Sequence, residues 1–211
     1  YIYEYAGDVK VTVAGGSPRL ASDSLPLNDN SVITTGDMSR AVLKFEDGQL
    51  VVLRSNTTFQ IKKYAFNADQ AEKSSIFFSL FKGGLRAVTG LIGKHNKQAF
   101  KITTPTATIG IRGTDFMLQT EGKAMFGQVT EGAMTMLTAN SREVFTAGQS
   151  SFVPSSSASP VVTTAPPLTF IQLQVIAAPP PTPAPAPKPG TKTPPPSAQA
   201  LSALAKGIKI P

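Results

Sequence analysis

The alternation of apolar and polar positions changes character once along the chain, close to Val153. Before that point, short apolar segments recur between glycines, prolines and acidic turns. Val9-Lys10-Val11-Thr12-Val13 alternates strictly and stops at Gly15-Gly16, the pattern of a half-buried strand leaving at a turn. Pro18 and Pro26 then mark irregular connection. Segments 41–45 and 50–53 flank Glu46-Asp47-Gly48-Gln49, where Asp47-Gly48 supplies the positive φ angles of a tight hairpin. Further strands are expected at 58–64, 76–81 and 83–90, with a polar excursion at 67–73 and a basic loop after Gly90. Segments 100–104 and 109–111 are split by Pro105. The series closes with 115–120, 124–129, 133–137, 143–145 and 150–153, turning at Glu121-Gly122, Glu131-Gly132, Asn140 and Gly148. Glycine-led strands recur at shrinking intervals, so no fixed-period repeat follows. The reading is all-β, one domain over residues 1–153 built of loosely repeating rungs.

Beyond that point the pattern dissolves. Residues 154–167 are rich in Ser, Thr and Pro and read as a linker. Within 168–178, glutamines alternate against Ile171, Leu173 and Val175, which predicts an isolated strand-length segment. Residues 179–196 are a spacer of polyproline II type, because proline lacks the amide donor and fixes φ. Residues 197–211 predict a short amphipathic helix with Leu201, Leu204 and Ile208 on one side, too short to be stable unless docked. If this tail grips a partner, its contacts would be Leu168, Phe170, Ile171, Leu173, Val175, Leu201, Leu204 and Ile208, the strand by adding to a sheet edge.

Composition supports the division. Fifteen of the 18 prolines lie after Val153, and all 13 acidic residues lie before it. Of the net charge of +7, residues 1–153 carry only +3, and Lys188, Lys192, Lys206 and Lys209 supply the rest. That spread argues against a nucleic-acid binder, as does the absence of basic and aromatic residues interleaved on one sheet face. The denser cluster Lys94, His95, Lys97 and Lys101 reads first as a solvated loop and second as an anion site formed by Lys94, Lys97 and Lys101. There is no cysteine, so burial and strand pairing must hold the fold. No stretch reaches the roughly 18 apolar residues of a membrane span. The chain starts at Tyr1 without methionine, and an exported protein whose leader has been removed or trimmed is the expectation.

An ordered set of short motifs carries more information than any of these. Gly7-Asp8-Val9, Thr34-Thr35-Gly36 with Ser39-Arg40-Ala41, Asp47-Gly48, Gly83-Gly84-Leu85-Arg86, Thr104-Pro105, Gly110 with Arg112-Gly113-Thr114 and Phe116, Glu131-Gly132 and Ala147-Gly148-Gln149 follow one another over residues 6–153. In that order they resemble the FecR-like domain family. The resemblance implies a twisted, solenoid-like all-β domain of bacterial envelopes, placed outside the cytoplasm. Its best-known members are transmembrane regulators that relay iron-siderophore signals from an outer-membrane transporter to a sigma factor. The anti-sigma segment, membrane helix and signalling subdomain of those regulators have no counterpart in these residues, and a proline-rich tail follows the β domain instead.

The motif residues also have a reading of their own as structure: Asp37, Arg40, Asp47, Gly48, Arg86, Pro105, Arg112, Gly113 and Thr114. Asp37 and Arg40 suit a turn with an ion pair, as does Arg86. Arg112, between Gly110 and Gly113, is free to lie on backbone carbonyls or to clasp a carboxylate such as Asp37 or Asp115. An exposed anion-binding arginine is the functional alternative. Catalysis finds little material: His95 is the sole histidine, no nucleophile elbow occurs, and Glu46-Asp47 is explained by the hairpin. The glycine pairs match no phosphate loop, and Asn56-Thr57-Thr58, a glycosylation pattern, falls in an expected strand. No catalytic residue, cofactor or metal is expected.

The function expected from these features is a non-catalytic structural or adaptor protein of the envelope or cell surface. Its tail would tether it to another copy, in a ring or filament, or to an envelope component, with no nucleic acid and no membrane span. A signalling ectodomain related to iron-uptake regulators is the alternative, and a binder of an anionic wall polymer is a third.

Overall fold

The structure is a computed structural model and describes residues 1–70, 73–95 and 99–164. Among them run fourteen strands of one continuous sheet. The first seven are β1 (Ile2–Ala6), β2 (Val9–Thr12), β3 (Arg19–Leu20), β4 (Val32–Thr35), β5 (Arg40–Lys44), β6 (Leu50–Leu53) and β7 (Thr58–Ala65). Next come β8 (Ser75–Val88), a one-turn helix α1 (Leu91–His95), β9 (Phe100–Thr103), β10 (Thr108–Glu121) and β11 (Ala124–Leu137), followed by β12 (Arg142–Thr146), β13 (Ser150–Val153) and β14 (Val161–Thr163). The expected hairpin joins β5 to β6 in the register Lys44↔Leu50, closed by Phe45 N–H to the Gln49 carbonyl at 3.0 Å, with Gly48 at φ 84°.

Each rung turns a corner and changes partners there. β1 pairs with β5, whereas β2, just past Gly7, pairs with β3 and β4. The first half of β8 pairs with β7 and, in parallel, with β9. Its second half pairs with β6 and β10. β10 and β11 exchange neighbours in the same way around Gly113 and Gly132. The single sheet thereby folds into two layers. One runs β3–β2–β4–β7–β8–β9–β10–β11–β12 and the other β1–β5–β6–β8–β10–β11–β13–β14, with β8, β10 and β11 shared end to end. This is the twisted, solenoid-like all-β domain expected of the sequence.

Apolar side chains of both layers meet in one core. Phe78 and Phe100 of the first layer touch Phe45 and Phe116 of the second, with ring centroids 5.3 and 6.2 Å apart. Phe59, Phe78, Phe100 and Phe116 are all buried, each contributing about 2–3 kcal/mol by leaving water. At the domain's start, Tyr1, just before the edge strand β1, and Tyr3 within it are exposed, and Lys44 Nζ lies 5.4 Å from the Tyr3 ring centroid.

Four sequence expectations change. Segments 76–81 and 83–90 are one strand, as are 109–111 with 115–120 and 124–129 with 133–137. Glycine at positive φ bends these strands without ending them: Gly83 has φ 87°, Gly113 54° and Gly132 79°. The basic loop begins as α1, and Lys101 is in strand β9. Asn56 is not inside a strand; it sits exposed on the corner between β6 and β7 at φ 56°. Residues 154–164, read as linker, pack on the domain, because β14 pairs with β13 and Ala139 N–H and Asn140 Nδ2 donate to the Ser156 and Ser157 carbonyls at 3.0 and 2.9 Å. The isolated strand at 168–178, the spacer, the terminal helix and all eight expected tail contacts lie outside the described residues.

Candidate functional site

The outer face of the first layer, across β9, β10, β11 and β12, carries the most suggestive chemistry. Alternation sends Ile102, Ile109, Ile111, Met134, Met136 and Phe145 into the core, so the intervening residues face outward. Register orders them into rows. Lys101, Gly110, Thr135 and Val144 form one row. Arg112, Ala133 and Thr146 form the row on one side, and Thr103, Thr108, Leu137 and Arg142 the row on the other. Gly110 and Ala133 leave the middle low, and nothing lies within 4 Å of where a Gly110 Cβ would stand. A groove of about 590 Å³ results, with Lys101, Arg112 and Arg142 on its rim. A shallower depression along Thr104–Thr106 and Ser156 shares Thr108 and Leu137 with it.

None of the three cations pairs with a carboxylate among the described residues. The nearest acid in sequence, Glu143, alternates to the opposite side of β12 from Arg142 and accepts from Ser141 Oγ at 2.9 Å. With strands about 4.8 Å apart and rows about 6.7 Å apart, the Lys101 and Arg112 Cα positions are separated by roughly 8 Å. Each lies roughly 16 Å from Arg142. Half-exposed Leu137 and Val144 border Arg142. Such a surface can hold carboxylates or phosphates beside apolar groups. It presents no nucleophile–base pair, and among the described residues no three His, Cys, Asp or Glu side chains cluster as a metal site.

The motif residues gather elsewhere, at the corners. Asp8 N–H donates to Ser39 Oγ at 2.9 Å, which donates to the Asp37 carbonyl at 2.8 Å. Asn56 Nδ2 reaches the Asp37 carboxylate at 3.5 Å. Thr35 Oγ1 donates to the Arg54 carbonyl and accepts Thr57 N–H, and Thr57 Oγ1 donates to the Gly84 carbonyl and accepts Gly84 N–H. Thr89 Oγ1 does the same for both backbone groups of Thr114 at 3.0 and 2.9 Å. These buried hydroxyls satisfy polar groups that a change of strand partner would leave open. Thr104 Oγ1 likewise caps the Pro105 turn by accepting Thr106 and Ala107 N–H.

Residues 31–135, from just before β4 to within β11, match the model of the family described as FecR protein. The chain carries a FecR domain. Its fold is similar to that of a Parabacteroides distasonis crystal structure described as an anti-sigma factor, with TM-score 0.51 and 13% identity over 63% of this chain. The match spans 58% of that chain's length. A second Parabacteroides distasonis structure of the same description aligns over the same shares of the two chains at 15% identity and TM-score 0.49. No curated protein matches.

In the FecR domain the charged motif residues split into paired and unpaired. Arg86 clasps Asp115 through Nε and Nη2 at 2.8 and 2.5 Å, and this hydrogen bonding raises the Arg86 pKa. Asp115 is therefore Arg86's partner and not Arg112's, while Arg112 points to the groove. Arg40 binds Glu4 at 2.6 Å across the β1–β5 pair. Asp47 exceeds its hairpin role: its carboxylate accepts Gln49 N–H, Tyr64 O–H and the Ile92 N–H of α1 at 3.2, 3.3 and 3.4 Å. Burial nevertheless pushes the Asp47 carboxyl above its ordinary value, against these hydrogen bonds, and burial also raises the Tyr64 phenol. Of the expected anion site, Lys101 reaches the groove. Lys97 and the Lys94 side chain lie outside what is described. Arg142 was not anticipated. Its place opposite Leu137 could have been drawn only from knowing that 133–137 pairs with 142–146.

Proposed function

We propose that this FecR domain is the extracytoplasmic receiving part of an envelope signalling system, a protein-recognition module without catalysis of its own. The match of residues 31–135 to the FecR family carries the reading. Likeness in fold to a protein described as an anti-sigma factor is consistent with it. The adaptor function expected from the tail gives way, because the resemblance lies in the β domain and favours the signalling alternative. Among the described residues no helix is long and apolar enough to cross a membrane, so placement outside the cytoplasm rests on the family alone. The corners suit the role: charges buried there serve the fold, and recognition is left to the outer face.

The test is deletion of the gene in its host, with transcripts measured before and after complementation. A restored set of genes sharing one sigma-factor promoter is the expected result. A host that loses envelope assembly while such a set stays unchanged would return the chain to the adaptor reading.

A further inference from the structure

Resting on that reading, we propose that the groove across β9–β12 is the docking site for an extended acidic segment of a partner protein. Its carboxylates, about four residues apart so that both face the groove, would be taken by Lys101 with Arg112 at one end and Arg142 at the other. The spacing follows from the surface. About four residues of extended chain at about 3.3 Å each keep both carboxylates on one face and cover about 13 Å, and the long side chains of Lys101, Arg112 and Arg142 close the rest of the roughly 16 Å span. The low floor at Gly110 and Ala133 admits the backbone of such a segment, and Thr108 and Thr135 offer hydroxyls to it.

Charge selects the occupant. Three cations without a carboxylate partner are an unanswered positive field on a domain whose other described arginine–acid contacts are made at the corners. The chain's own residues beyond Val153 hold four lysines and no acid, so they offer this face no side-chain carboxylate. A second copy meets it with a domain that is itself net positive. The partner is therefore acidic. It is also a protein. Leu137 and Val144 are half exposed beside Arg142 and gain by covering with branched side chains, which a phosphate polymer lacks. The outward rows contain no aromatic side chain on which a sugar or base would stack.

The experiment measures fluorescence anisotropy of a labelled extended peptide added to the full chain. The peptide carries two glutamates four positions apart with valine and leucine between them, and its glutamine counterpart is the control. Saturable binding that weakens with salt is expected, with no binding of the control. Arg112→Gln and Arg142→Gln should each weaken it about tenfold, the loss of one charge-assisted hydrogen bond, while thermal unfolding of the variants stays at that of the unaltered chain. Equal binding by the variants, or polyphosphate binding in place of the peptide, overturns the proposal, as does no binding at all. Arg112→Gln and Arg142→Gln are also carried into the host transcript measurement. A peptide failure with a gene set that responds to deletion removes the groove and leaves the signalling role. A gene set indifferent to deletion removes that role whatever the peptide does.

Discussion

The corner where β8 pairs with β10 and the outer face of β9–β12 treat like charges in opposite ways. Arg86 and Arg112 both follow glycines in short motifs, and both lie beside strands that change partners. Arg86 is drawn into the corner, its side chain 21% exposed, and held in bidentate contact by Asp115, itself 14% exposed. Arg112 projects from the neighbouring layer with Lys101 and Arg142, and no acid among the described residues answers it. An arginine that is half desolvated needs its partner to repay the lost hydration, whereas one in solvent is free for something outside the chain.

Altered chains can break this contrast, most severely at the corner. Gly132→Val should cost the domain about 4 kcal/mol or more: the position has φ 79°, and a Cβ there would overlap the Gly113 carbonyl oxygen. Loss of a cooperative urea transition, followed by circular dichroism, is the expected result, and a transition within 1 M of the original would refute the account. Arg86→Met should cost about 2–3 kcal/mol by stranding the Asp115 carboxylate, with most of it regained in Arg86→Met/Asp115→Leu. A double variant no better than the single one would mean that the pair matters for something other than charge.

Asp47 tests the corner's charges by pH. Its carboxyl lies above its ordinary 3.8 because of burial, so the folded state keeps the proton over a range in which the unfolded chain has released it. The stability this group contributes is full below that ordinary value and is lost as pH rises through the raised one. Urea midpoints of the unaltered chain, compared with Asp47→Asn, should show that decline only when the carboxyl is present. Parallel pH curves would place the titration elsewhere. Smallest of all, Arg112→Gln and Arg142→Gln should leave stability within about 0.5 kcal/mol, as surface changes do. A clear loss in either would mean that the outer face is structural too.

How much of this was legible depended on range. The β5–β6 hairpin was readable because Asp47-Gly48 and the flanking alternation are local. Burial of alternate residues in β9, β10 and β11 was readable for the same reason. Strand continuity was not: Gly83, Gly113 and Gly132 look like ends in sequence, and only long-range pairing tells a bend from a terminus. α1 is one turn long and has no periodicity to detect. The partner of Asp115 depended on Met117↔Arg86 register, and the meeting of Lys101, Arg112 and Arg142 on the pairing of four strands. Family resemblance supplied the module; most of its motif residues lie at corners, while Gly110 and Arg112 lie on the outer face.

Because β8, β10 and β11 each run without a break from one layer into the other, the described strands leave no seam at which the two layers could swing apart. Grasping the outer face would turn or carry both layers together, as a key turns with its bow. Were the groove filled as proposed, the message would travel by where the whole body goes and what it brings alongside, and not by any internal yielding.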